Sequence, residues 1–231
     1  MDQSFDFFGY EISIWLLPIL IAVTLHEAAH GFVAHLLGDD TAWRLGRVSF
    51  NPFKHIDPFG TIVLPALLLL VRSPFLFGYA KPVPVNFRAL SHPRRDMILV
   101  AAAGPAMNLL LATLAAAAFH LLDYTPDVAA KFIAENLKNA LVLNVILAVF
   151  NLIPIPPLDG GRIVAGVLPA ALAKPFSRLE PYGLALLIGV LIVLPLFGAQ
   201  FGVDLNFLSQ IVTRSARVII DVILRLTGNS R

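Results

Sequence analysis

Four apolar runs, each about as long as a bilayer is thick, constrain this chain more than any other feature. They fall at about 12–37, 96–122, 134–152 and 182–203, and a helix needs about 20 such residues to cross hydrocarbon. In lipid every backbone polar group must be satisfied within the segment, so runs of this length read as helices. Charged residues make up 14% of the 231 and hydrophobic ones 58%, whereas a soluble domain is about a quarter charged. The expected fold class is an all-α polytopic membrane protein, a bundle of about four to six transmembrane helices. The chain reads as one membrane-embedded domain over 1–231. It has no Cys, which excludes a disulfide framework or a thiolate metal site. The opening "MDQSFDFFGYE" is acidic where a cleavable signal is basic, so the first apolar run is expected to be retained.

The intervening segments read differently. Residues 39–60 are loop-like, with a short strand candidate at 44–50. Residues 61–71 are apolar but half a span long and contain Pro65, so 61–80 is expected to form a re-entrant or interfacial hairpin. "GYAKPVPVNFR" (78–88) alternates Pro and Val, which suits an extended element and excludes helix. That stretch is either a rigid linker or an edge that receives a peptide by β-augmentation. The tail, 206–226, places Arg214, Arg217, Asp221 and Arg225 at helical spacing on one side. It either lies on the membrane surface or crosses as a tilted span with its polar side inward.

The first apolar run contains HEAAH, residues 26–30. Residues four apart on a helix lie within about 40° of each other, so His26 and His30 share a face. Two imidazoles so placed can hold one Zn²⁺, with Glu27 beside the open position as general base. Buried structural histidines are the bland alternative, but three ionisable groups within five residues of a membrane span demand a reason. A catalytic zinc wants a third protein ligand. His35 is nine residues from His26, on the opposite face, and is excluded from the same ion. His55, His92 and His120 are isolated. Asp159, in the Pro- and Gly-rich break "PPLDGGR", is the better candidate. It reads equally well as a third ligand or as the N-cap of a helix over 162–172.

HEAAH, "AGPAMN" at 103–108 and "NLIPIPPLDGGR" at 151–162 together resemble the site-2 protease family of intramembrane zinc metalloproteases. The similarity is to the short bacterial members without PDZ or CBS domains, over about residues 12–165, with the helices of 166–231 matching loosely. It implies one Zn²⁺ per chain held by His26, His30 and Asp159, with Glu27 activating water. It also implies that Asn151 holds substrate or the oxyanion near the metal. The implied partners are a transmembrane protein substrate and the lipid bilayer; no nucleic-acid partner is expected. Asn108 and Asn144 read as helix–helix glue, and Gly104-Pro105 as a site of close helix approach.

One metal requires one depth. HEAAH lies late in its span and Asp159 just past the end of the third, so those two helices should point the same way and 96–122 should run back between them. Eleven of the 17 basic residues then fall on the metal side, in 38–95 and in 162–178. The positive-inside rule puts the N-terminus outside and the site toward the cytoplasm of a bacterial inner membrane. A zinc transporter and a catalytically inactive scaffold are the competing functions. A transporter would show several weak sites and paired repeats, where this chain has one tight cluster.

Overall fold

The computed structural model describes residues 3–63, 66–67, 70 and 80–229. Most of the expected 61–80 hairpin therefore lies outside the described residues; leading into it, Pro58–Val63 forms a single π-helical turn. The described chain is helical and contains no strand among the described residues.

Helix α1 (Gln3–Leu36) carries HEAAH in its last third and ends at Gly38, whose φ of 106° suits a residue without Cβ. A one-turn helix α2 (Thr41–Arg44) follows. The strand candidate at 44–50 is not borne out: after α2 the chain turns and bends. The cause is local. The buried carboxylate of Asp39 accepts from the N–H and hydroxyl of Thr41, which favours a helical turn at that point over an extended start. Helix α3 (Pro93–Ala118) starts with proline at its first position, where the missing N–H costs nothing. Helix α4 (Asp127–Asn151) follows a short 3₁₀ stretch. Helices α5 (Asp159–Val167), α6 (Ala170–Ser177), α7 (Gly183–Ile188) and α8 (Leu194–Gln200) follow, with a π-helical turn joining the last two. Helix α9 (Phe207–Leu226) closes the described chain.

Among the described residues, four stretches are long and apolar enough to cross a membrane: Gly9–Leu36, Pro93–Tyr124, Asp127–Asn151 and Ala170–Gln200. The last begins earlier than the expected 182, because α6 precedes it with only a short 3₁₀ break.

Contacts fix the relative helix directions. His30 meets Val100 and His26 meets Asn108, so α3 runs antiparallel to α1. Asn139 donates to the carbonyl of Ile14, and Asp159 lies at His26 and His30, so α4 runs parallel to α1. This is the arrangement that a single metal depth requires. Small residues on α3 let the helices close up: Ala112, Ala115 and Ala116 pack with Leu141 and Val145 of α4 and Ala216 and Ile223 of α9. Helix α9 runs lengthwise along the bundle. Leu208 packs with Ile153 and Leu158 at one end, and at the other Asn229 donates to the Ala116 carbonyl. This matches neither reading of the tail in full: the helix lies along the bundle, but its charged side faces outward, where a tilted span was expected to turn it inward.

The loop ends are also anchored. Asp96 accepts from the His92 N–H at the start of α3. Arg94 donates to the carbonyls of Gly166 and Leu168, tying the end of α5 to α3. His35 faces away from His26, pairing with Asp40 at 2.7 Å and stacking on Trp43. That imidazole, with Arg44, holds the Asp40 carboxyl below the usual carboxylate range.

Candidate metal centre

HEAAH sits where α1 is covered by α3, and the helical repeat turns His26 and His30 inward together. Past the end of α4, residues 152–158 double back and deliver Asp159 at the first turn of α5. This tight return needs Gly160: a Cβ there would lie 2.2 Å from the Leu152 carbonyl oxygen. The N-cap position of α5 is Leu158, so Asp159 stands at the first helical position and does not cap the helix. Its carboxylate turns into the bundle, with Oδ2 at 3.3 Å from Nε2 of both His26 and His30.

Three atoms converge. The Nε2 atoms of His26 and His30 are 3.1 Å apart, and each is 3.3 Å from Asp159 Oδ2. All three residues are buried. Zinc bonds of about 2.0–2.1 Å at tetrahedral angles set ligand atoms about 3.3–3.4 Å apart. The two His–Asp separations have that spacing, and the His–His separation is about 0.2 Å shorter.

Hydrogen bonding says more than distance does. His30 Nδ1 faces the Val100 carbonyl at 2.7 Å, and a carbonyl only accepts, so Nδ1 carries the proton. His26 Nδ1 lies 2.6 Å from Asn108 Oδ1 and donates to it. In the neutral imidazoles both Nε2 atoms are then bare lone pairs. They point at each other and at a carboxylate oxygen that is buried without a hydrogen-bond partner. Three acceptors facing one point at van der Waals separation repel unless a metal cation or a proton sits among them. Gly104 completes the cradle, since a Cβ there would lie 2.4 Å from His30 Nε2 and 2.6 Å from His26 Nε2. The space a metal and its open position need is kept by the absence of a side chain. These residues fit a divalent cation.

Glu27, the neighbour of His26, is half-buried, and its Oε2 accepts from the Val83 N–H at 2.8 Å. Val83 lies between Pro82 and Pro84, neither of which has an N–H to offer. Residues 81–86 are neither helix nor strand, so the Pro–Val alternation excludes helix as expected but the extended element expected over 78–88 forms no strand among its described residues. Their donors are largely engaged within the chain: Lys81 N–H on the His55 carbonyl, Val83 N–H on Glu27 and Asn86 N–H on Asp39. Arg47 donates to the carbonyls of Lys81 and Pro82. The segment thus braces the glutamate beside the cluster and has few donors left for a docked strand. Asn151 is not joined to the cluster by any hydrogen bond among the described residues; its amide donates to the Leu147 carbonyl in its own helix.

Sequence reasoning missed Asn108, Asn144 and Val83 as parts of the site. An amide in a span signals that it needs a partner, but nothing in its spacing says that the partner is a metal-facing histidine.

A buried His₂Asp cluster with an adjacent glutamate, on helices long and apolar enough to cross a bilayer, defines a metallohydrolase centre within a membrane protein. The comparisons agree. The family model Peptidase family M50 matches residues 123–196, which include α4 and Asp159. YwhC of Bacillus subtilis (strain 168), classed by its name as a zinc metalloprotease, is 39% identical over 197 residues, covering 82% of this chain and 86% of that protein. Rip2 of Mycobacterium tuberculosis (strain ATCC 25618 / H37Rv), also named as a zinc metalloprotease, is 31% identical over 184 residues, 80% of this chain and 68% of its own length. Rip2 of Mycolicibacterium smegmatis (strain ATCC 700084 / mc(2)155) is 28% identical over 196 residues, 82% and 71% of the two chains. No solved structure matches. The chain belongs to peptidase family M50, the site-2 protease family: it is an integral membrane zinc metalloprotease.

Proposed function

We propose that this protease hydrolyses peptide bonds of transmembrane or membrane-associated proteins at bilayer depth, as a step of regulated intramembrane proteolysis. The observation that carries the reading is the convergence of His26 Nε2, His30 Nε2 and Asp159 Oδ2 within 3.3 Å of one another, inside the helical bundle. In this reading His26, His30 and Asp159 hold zinc, which when bound supplies Lewis acidity and lowers the pKa of water to about 7. Glu27, held by the Val83 N–H, takes a proton from the attacking water and returns it to the leaving amine. Asn151 has a second amide N–H beyond the one given to Leu147, and with it holds the substrate carbonyl. The distribution of basic residues supports an N-terminus outside and a site near the cytoplasmic face of a bacterial inner membrane. Residues 1–231 act as one membrane-embedded domain.

Glu27→Gln tests the assignment. Purified in detergent, it should retain one zinc per chain while cleavage of a transmembrane reporter falls by about 10²–10⁴-fold, the range for loss of a general base. Asp159→Asn should lose both zinc and cleavage. Full cleavage by Glu27→Gln would remove the glutamate from the chemistry, and full zinc content in Asp159→Asn would remove Asp159 from the ligand set.

A further inference from the structure

His30 and His26 are held on their far sides in different ways. His30 Nδ1 donates to a backbone carbonyl, Val100 O, which no side-chain substitution removes. His26 Nδ1 donates to a side chain, Asn108 Oδ1, at 2.6 Å. Asn108 is fully buried, at 0% exposure, so its amide has no water to turn to.

The orientation of that amide is forced. Asn108 Nδ2 donates to Asn144 Oδ1 at 2.8 Å and faces the Ala22 carbonyl at 3.4 Å. Asn144 Nδ2 donates in turn to the Ala140 carbonyl at 2.8 Å. Carbonyls accept only, so the Ala140 oxygen fixes which end of Asn144 is the donor. Asn144 Oδ1 then fixes Asn108, and Asn108 Oδ1 fixes the proton on His26 Nδ1. Turning either amide over would set two donors or two acceptors against each other in a site without water, at about 1–3 kcal/mol for each unsatisfied group.

We infer that Asn144 and Asn108 form a buried amide relay, anchored on α4 and running through α3, that locks His26 of α1 as the Nδ1–H tautomer and aims its Nε2 lone pair at the metal position. The inference rests on the zinc reading of the His26–His30–Asp159 cluster. It makes the two amides positioning residues for a metal ligand, and it couples metal affinity to the seating of α4 against α3. Outer groups of this kind fix ring orientation and raise ligand basicity, and their loss typically lowers metal affinity 10–100-fold. A glue role alone would affect the stability of the bundle and leave affinity and tautomer unchanged.

The test uses the full chain in detergent, with zinc affinity measured by chelator competition and the His26 tautomer by ¹⁵N NMR of the metal-free protein. Asn108→Leu should weaken zinc binding about 10–100-fold and mix the His26 tautomers. Asn108→Asp keeps an acceptor for Nδ1–H and, with its second oxygen protonated to donate to Asn144 Oδ1, should restore most of the affinity. Asn144→Leu leaves Asn108 its Ala22 partner, so its loss should be smaller than that of Asn108→Leu; it also serves if Asn108→Leu does not fold. Wild-type affinity and tautomer in Asn108→Leu would overturn the relay while leaving the metal site standing. Equal losses in Asn108→Leu and Asn108→Asp would also overturn it. A wild type that binds no zinc, yet shows a His26 tautomer that depends on Asn108, would keep the relay and overturn the metal reading instead.

Discussion

Helices α1 and α9 both run lengthwise in the bundle, and both carry ionisable residues well inside their length. They dispose of them in opposite ways. In α1, His26 and His30 turn inward, are 8% and 7% exposed, and each has a named partner on its far nitrogen. In α9, the buried residues are Leu208, Ala216 and Ile223, while Arg214, Arg217 and Asp221 all lie on the exposed side. A polar group inside a helical membrane protein is expensive, so it persists facing inward where packing and hydrogen bonds hold it for a purpose. On α9 the same residue types are left outside the packed seam. The difference separates charge that builds a site from charge that decorates a face, and it can be broken or sharpened by substitution.

The largest effect is expected at Gly104. A methyl group there would fall within 2.6 Å of both Nε2 atoms, so Gly104→Ala places carbon where the metal belongs. The loss of zinc should be complete within detection, and cleavage should disappear with it. The helix should persist, since alanine favours it over glycine by about 1 kcal/mol. Zinc analysis and far-UV circular dichroism on the same sample check both halves. Normal zinc in Gly104→Ala would show that the histidines can retreat, and that the inward face of α1 is looser than the contacts imply.

How much of this was legible beforehand depends on the range over which each feature is decided. HEAAH was readable because a helix repeat puts residues four apart on one face, and the same azimuth argument turned His35 away, where it meets Asp40 and Trp43. The directions of α1, α3 and α4 followed from requiring one depth for one metal. Asp159 stayed open between ligand and cap because its direction is set by the fold of 152–158, a return made possible by the missing side chain of Gly160. The strand candidate at 44–50 failed because Asp39 bonds Thr41 and turns the chain, a contact that propensity does not register. The placement of α9 was undecided for a similar reason. Its charge spacing was plain, but which side would be covered depended on Ala112, Ala115 and Ala116 of α3 leaving room. The brace at Val83 was hidden in a Pro–Val pattern that was weighed only as a rigid linker or a docking edge.

A smaller effect separates site from glue within the buried set. Asn139 on α4 is buried like Asn144, and its amide donates to the Ile14 carbonyl of α1, at 3.1 Å. It lies on the seam but reaches no residue of the cluster. Asn139→Leu should therefore lower the unfolding free energy of the bundle by about 0.6 kcal/mol, and by no more than about 1.7, the range for interhelical hydrogen bonds in membrane proteins. Zinc affinity should stay at the wild-type value. A tenfold loss of affinity in Asn139→Leu would mean that any polar bond along this seam tunes the metal, which would erase the distinction drawn for Asn108 and Asn144.

The smallest effect is expected on the other side of the comparison. Arg217 is exposed midway along α9, one residue beyond the buried Ala216. Arg217→Leu removes a charge that touches neither the cluster nor the packed seam. Zinc content and cleavage should match wild type, and the unfolding free energy in detergent should move by no more than about 0.5 kcal/mol, the usual bound for substitutions on an uncovered surface. The double variant with Arg214→Leu should add without coupling to Gly104→Ala or Asn108→Leu, because separated sites combine to within about 0.5 kcal/mol. A cleavage defect in Arg217→Leu at unchanged zinc content would give the exposed face a part in substrate handling, and charge on α9 could then no longer be described as lying outside the working seam.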